Sequence, residues 1–97
     1  MMIDEDSIIT LTSEQVACDM KGELLILHTG SGIYFGLDPV GKRVWSLIHE
    51  PKRAGDIRDV LLNEYQVERE TCTRHLLALL EKLASKRLIE VNSAPVA

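Results

Sequence analysis

Apolar positions recur with a period near two along the first third of the chain and near 3.6 along the rest, the spacings of strands and helices. Ile8-Ile9-Thr10-Leu11-Thr12 is short and β-branched, and Val16, Cys18 and Met20 follow on alternate positions. Lys21-Gly22 predicts a turn, and Glu23-Leu24-Leu25-Ile26-Leu27-His28 a second strand, apolar on both parities. Thr29-Gly30-Ser31-Gly32 is a glycine-rich turn, and Ile33-Tyr34-Phe35-Gly36-Leu37 reads as a third strand. Turns this short force antiparallel neighbours, so the segment predicts a three-stranded antiparallel meander.

Asp38-Pro39 switches the chain to helix. The Asp38 carboxylate can accept an orphan first-turn N–H, and Pro39 at the first helical position loses no needed donor. Val40, Val44, Leu47 and Ile48 form one stripe with Trp45 beside it, and Glu50-Pro51 ends the helix. A second helix is expected from about Asp56 to Tyr65, burying Ile57, Val60, Leu61 and Tyr65. A third is expected from about Arg69 to Lys86, with Cys72, Leu76, Leu79, Leu80 and Leu83 on one face. Lys86 and Arg87 suit its negative end, and Leu88-Ile89-Glu90-Val91 reads as a short closing segment. Strands grouped before helices predict an α+β domain, a meander followed by three helices, with a winged-helix outline. Residues 1–7 and 92–97 are expected to be flexible tails around a single domain over 8–91.

Composition narrows the setting. The 97 residues are 45% hydrophobic and 27% charged, enough for one modest core. No apolar run spans a bilayer, and the acidic start MMIDEDS lacks the order of a signal peptide, so a cytoplasmic protein without membrane attachment is expected. Cys18 and Cys72 make no disulfide framework and read as reduced thiols. A net charge of −4 argues against a protein whose main task is neutralising phosphates.

Candidate chemistry is sparse. A thiol nucleophile would be Cys18 or Cys72, with His28, His49 or His75 as base; Cys72 and His75 share a helix face, but no loop offers an oxyanion hole. The same pair lacks the two further ligands of a metal site, and Gly30-Ser31-Gly32 has neither a nucleophile elbow nor a phosphate loop around it. No enzyme, metal or cofactor reading emerges. Arg69, Arg74, Lys82, Lys86 and Arg87 could decorate a DNA-recognition helix, but Glu68, Glu70 and Glu81 interrupt them. A DNA-binding winged helix therefore stands only as the alternative function. Peptide binding remains. The strand 33–37 carries no lysine, proline or inward charge to blunt an open edge, although an ordinary core strand covered by the N-terminal segment or the third helix fits its composition slightly better.

The series GELLILHTGSGIYFGLDPVGKRVWSLI, DIRDVLLNEYQV and HLLALLEKLASKRLIEV resembles the PqqD-like proteins, the RiPP recognition elements that bind leader peptides of ribosomally made, modified natural products. Tyr34, Phe35, Leu37, Asp38, Gly41 and Trp45 carry most of the resemblance, Glu64-Tyr65-Gln66-Val67 supports it, and it extends over residues 8–91. It implies a three-stranded sheet on three helices, with a precursor leader peptide added as a further strand along Ile33–Leu37. The cleft's other wall is then formed among Arg74, His75, Ala78, Leu79 and Lys82, and Lys82 with Arg74 would meet acidic leader residues. A free-standing chain of this size is most similar to the recognition protein of lasso-peptide biosynthesis. That similarity implies transfer of the precursor to a transglutaminase-like leader peptidase and then to a cyclase. The chain departs from the family where Ala54-Gly55, instead of a Ser/Thr cap, precede Asp56, and where Asp38 replaces the commoner Asn.

Overall fold

The computed structural model describes residues 3–92; of the tail expected over 92–97, Asn92 instead ends a strand, paired opposite Ile8, and 93–97 lie outside the described residues. The elements run β1 (Ile8–Leu11), β2 (Gln15–Met20), β3 (Glu23–His28), β4 (Ile33–Leu37), α1 (Pro39–Leu47), β5 (Lys52–Arg53), α2 (Ala54–Glu64), α3 (Arg69–Ser85) and β6 (Ile89–Asn92). The class is the expected α+β, with the meander β2-β3-β4 and three helices in the expected order.

The meander is built by local turns. Lys21 and Gly22 both hold positive φ, 53° and 87°, the twist that a two-residue hairpin between Met20 and Glu23 requires. At the next turn, Gly32 at φ 72° donates to the His28 carbonyl at 2.8 Å, and His28 stands opposite Ile33. His28 is buried at that corner. Its Nδ1 accepts the Ser31 N–H at 3.1 Å and lies 2.8 Å from the Ser31 hydroxyl, while Nε2 lies 3.6 Å from Glu14. Ser31 Oγ also accepts the Ile33 N–H at 3.4 Å, so this cluster pins the start of β4.

The first segment belongs elsewhere. Ile8–Leu11 does not extend the meander; β1 runs between β5 and β6 in a second antiparallel sheet, with Ile9 opposite both Lys52 and Val91. At its end the Thr12 amide donates to the Leu88 carbonyl and the Thr12 hydroxyl to that of Arg87. Ile9, Leu88 and Ile89 are buried, so the closing segment is the strand that brings the C-terminal end of the domain against its start.

The expected flexible tail over 1–7 is also corrected from Ile3 onward. Ile3 is buried in the core and Arg58, itself buried, binds Glu5 and Asp59. Burial disfavours the Arg58 charge, but the two carboxylates outweigh it and raise its pKa. This segment also explains the missing cap of α2. Arg53 at the N-cap makes no side-chain bond; instead the N–H groups of Ala54 and Gly55 donate to the carbonyls of Ser7 and Glu5, each at 2.9 Å. Orphan donors of a helix start need acceptors, and here the backbone of the N-terminal segment supplies them. A Cβ on Gly55 would stand 3.2 Å from the Glu5 carbonyl, so the small residue permits the approach.

The helices pack around one core. Val44 and Trp45 of α1 with Ile48 at its C-cap, Ile57 and Leu61 of α2, and Leu76, Leu80 and Leu83 of α3 are buried together with Leu24, Ile26 and Leu37 of the meander. Asp38 caps α1 as its sequence implies, accepting the Gly41 N–H at 2.7 Å with Pro39 at the first helical position. Val40 is the exception in its stripe: it is exposed, because the first turn of α1 overhangs a recess.

Candidate functional site

β4 pairs only with β3, so among the described residues its other edge has no strand partner. In an antiparallel sheet alternate residues of such an edge present their N–H and C=O outward. Neither element expected to cover it does so by strand pairing. The N-terminal segment is engaged with β5 and β6, and α3 stands across a groove instead.

Strand alternation divides β4 into two faces. Ile33, Phe35 and Leu37 stand opposite the buried His28, Ile26 and Leu24, while Tyr34 and Gly36 face outward with Leu27 and Leu25. Leu37 is buried, Phe35 half-buried and Tyr34 61% exposed.

The groove between β4 and α3 has a volume of about 430 Å³, and Phe35, Leu37, His75, Ala78, Leu79 and Lys82 line it with Gly36 at its rim. Seven of the sequence-expected residues thus come together. On α3 the row 75, 79, 82 advances by four and three residues, which keeps one helix face toward the strand. Arg74 lies one step round from that row; it is exposed and lines no recess there. Tyr34 falls on the outer face of the sheet. Ile33 sits at the end of the strand, in a separate recess of about 320 Å³ with His28, Ser31, Lys86 and Arg87.

Sequence reasoning missed a deeper recess. Beyond His75 and Leu79 the groove meets a cavity of about 370 Å³, whose apolar walls include Val44, Leu61, Tyr65, Cys72 and Leu76. These residues come from all three helices, so no periodicity within one helix marks them. Lys86, expected at the helix end and among the cations of a possible DNA-recognition helix but not in the groove, has its Nζ 5.7 Å from the Phe35 ring centre, within cation–π range. The next step of the 75-79-82 row is 86, and that spacing was the available signal.

Among the described residues the groove assembles no catalytic group. Burial pushes the Cys72 thiol above its ordinary pKa, although the Arg58 charge works in the other direction, and Cys72 makes no hydrogen bond with His75. The Ser31–His28–Glu14 series has the order of a hydrolytic triad, but the Ser31 amide already occupies the Nδ1 lone pair that a general base would use. Among the described residues no three potential metal ligands cluster, and no helix is long and apolar enough to cross a membrane.

Comparison with known proteins agrees with this geometry. The family model described as Coenzyme PQQ synthesis protein D (PqqD) matches residues 23–89, the stretch from β3 into β6. The chain is similar to a solved structure described as TbiB1 in complex with the TbiA(beta) leader peptide. Identity is 42%, over 84% of this chain and 94% of that one, with a TM-score of 0.77. A second solved structure, lasso peptide synthetase B1 complexed with the leader peptide, shares the fold. Its TM-score is 0.75 at 22% identity, covering 84% of this chain and 96% of that one. No curated protein matches the chain. None of these matches supports the DNA-binding alternative.

Proposed function

Since the chain belongs to the PqqD family, we propose that it is a RiPP recognition element that binds the leader segment of a ribosomally made precursor peptide. The leader joins the open edge of β4 as a further strand and lays its inward side chains into the groove against α3. The observation that carries this reading is the unpaired edge of β4 beside an apolar groove, in a chain 42% identical to a protein solved with a leader peptide.

The two kinds of contact have different roles. Main-chain hydrogen bonds contribute about 1 kcal/mol each and tolerate many sequences. A few such bonds roughly offset the cost of association, which is at least about 4 kcal/mol. Apolar anchors entering the groove and the deeper cavity then set affinity and register, at about 2 kcal/mol or more for each buried side chain. Phe35, Leu37, Ala78 and Leu79 supply the apolar walls, with Gly36 leaving the rim open.

The protein itself has no catalytic part in this scheme. It works in the cytoplasm and presents the loaded precursor to separate enzymes, a transglutaminase-like leader peptidase and then a cyclase of lasso-peptide biosynthesis.

The test is calorimetric titration with the leader peptide encoded beside this gene, followed by the same peptide N-methylated at single residues. Strand addition predicts that methylation at every second residue of the docked segment weakens binding more than about tenfold, while the intervening positions tolerate it. Uniform tolerance would overturn the strand model. Leu79→Asp should abolish binding with the far-UV spectrum unchanged. Retention of duplex DNA at physiological salt, with a steep salt slope, would instead favour a DNA-binding winged helix.

A further inference from the structure

The two ends of the β4–α3 groove carry opposite charge. β4 and α3 run in opposite directions along it, so Leu37 lies near His75 and Ile33 near Lys86 and Arg87. At the Ile33 end stand Lys82, Lys86 and Arg87, and none of the three is in an ion pair among the described residues. Lys42, Arg43, Arg53 and Arg58 are each paired with a carboxylate, whereas Lys21, Lys52, Arg69 and Arg74 are unpaired too among the described residues, so what distinguishes the three is their clustering beside the groove. Glu14 lines the recess at this end as well, 3.6 Å from His28, so one carboxylate faces three cations there, and Glu81 lines a different recess with Ile3. The other end of the groove is marked by the Asp38 carboxylate, fixed on the first turn of α1.

The helix dipole favours cations at this end, but among the described residues none of the three side chains is spent on a capping bond. The last turn of α3 closes with backbone bonds, Arg87 N–H to the Ala84 carbonyl and Leu88 N–H to that of Leu83, both at 3.0 Å. Lys82 O accepts the Lys86 N–H and the Ser85 hydroxyl. This is a Schellman closure, whose left-handed position is normally glycine. Here Arg87 occupies it at φ 59°. A side chain held at that φ is strained relative to glycine.

From this polarity we infer that the chain selects leaders carrying a carboxylate on a defined side of their apolar anchor. This inference rests on the strand-addition reading and specifies its substrate class. β4 already pairs antiparallel with β3, and antiparallel pairing is the more stable per residue, so the leader runs antiparallel to β4. Its earlier residues then lie against Leu37 and the deep cavity, and its later residues against Ile33. The distance from Leu37 to Ile33 is about 14 Å at the rise of an extended strand. The acidic residue therefore follows the anchor by about four positions and meets Lys82, Lys86 and Arg87.

Fluorescence anisotropy with the fluorescein-labelled leader peptide encoded beside this gene tests the proposal at low and high salt. Lys82→Glu and Lys86→Glu should each weaken binding by about three- to fivefold at low salt and by less than twofold at high salt, as exposed charge contacts do. Arg69→Glu makes the same charge change at the opposite end of α3 and should have less than a twofold effect. Lys86→Met keeps the aliphatic stem over Phe35, so a loss in this variant reports charge and not packing. A leader whose acidic residue is changed to Lys should bind Lys86→Glu better than wild type. Arg87→Gly should weaken leader binding about twofold while raising Tm by several degrees, because it relieves the left-handed strain. The inference is overturned if the groove reversals do no more than Arg69→Glu, or if their effect does not shrink with salt. If unmodified protein fails to bind the leader at either salt, the strand-addition reading falls as well.

Discussion

The domain contains two three-stranded antiparallel sheets with opposite characters. The sheet β5-β1-β6 is assembled from three segments distant in sequence, with Ile9 and Ile89 buried beneath it. The sheet β2-β3-β4 is assembled by two local turns and leaves an edge unpaired. Its outer face exposes Val16, Met20 and Tyr34, each more than half accessible. The first sheet closes the fold by joining the first and last described strands to the start of α2. The second is fastened on one face only, and its free edge is thereby available for another chain. Closure and recognition are divided between sheets, so each can be disturbed without the other.

Substitutions should separate the two. The largest effect is expected for Ile9→Ala, which empties a fully buried position at the centre of the first sheet and should cost about 2–5 kcal/mol in urea denaturation followed by Trp45 emission. Tyr34→Ala on the second sheet should change stability by less than about 1 kcal/mol in the same measurement. A comparable loss in both variants would mean that the two sheets form one cooperative unit of equal weight.

Next in size is removal of residues 1–7. That deletion takes Ile3 from the core, two carbonyl caps from α2 and Glu5 from Arg58, and should cost about 3 kcal/mol. Leader affinity of the fraction still folded should be unchanged, since the deletion touches no residue of the β4–α3 groove. A parallel loss of affinity would refute the division of labour.

The smallest expected effect concerns Arg43 and Glu64, which tie α1 to the end of α2 through a hydrogen bond of 2.8 Å. That hydrogen bond holds the Glu64 carboxyl below its ordinary pKa, against a weaker opposing effect of burial. A depressed folded-state pKa contributes stability that is present above the ordinary carboxylate value of about 4.3 and is lost as pH falls through the folded value. Arg43→Ala should therefore flatten the acid limb of the stability curve slightly and leave leader binding at neutral pH unaltered. An unchanged acid limb would show that this exposed pair adds nothing.

Much of the fold can be read locally. Period-two and period-3.6 patterning locates β2 to β4 and all three helices, because each buries one face and its turns carry Lys21-Gly22, Gly32 and Asp38-Pro39. On α3 the 75-79-82 row identifies the groove wall, whereas Arg74, one position away, points elsewhere. The open edge is different. The composition of 33–37 suits a core strand as well as an edge, and only the engagement of β1 by β5 and β6 leaves β4 unpaired.

The chain by itself determined the meander, the capped start of α1 and the order of the helices, since these depend on backbone preferences and on side chains a few residues apart. Tertiary structure alone decided the pairing of β1 with β6, the use of residues 5 and 7 to cap α2, and the three-helix cavity behind Leu79. It also decided that the helix end carrying Lys82, Lys86 and Arg87 stands beside Ile33 and Phe35 of β4. Each of these joins groups far apart along the chain, and such meetings depend on how whole elements pack, which no local pattern encodes.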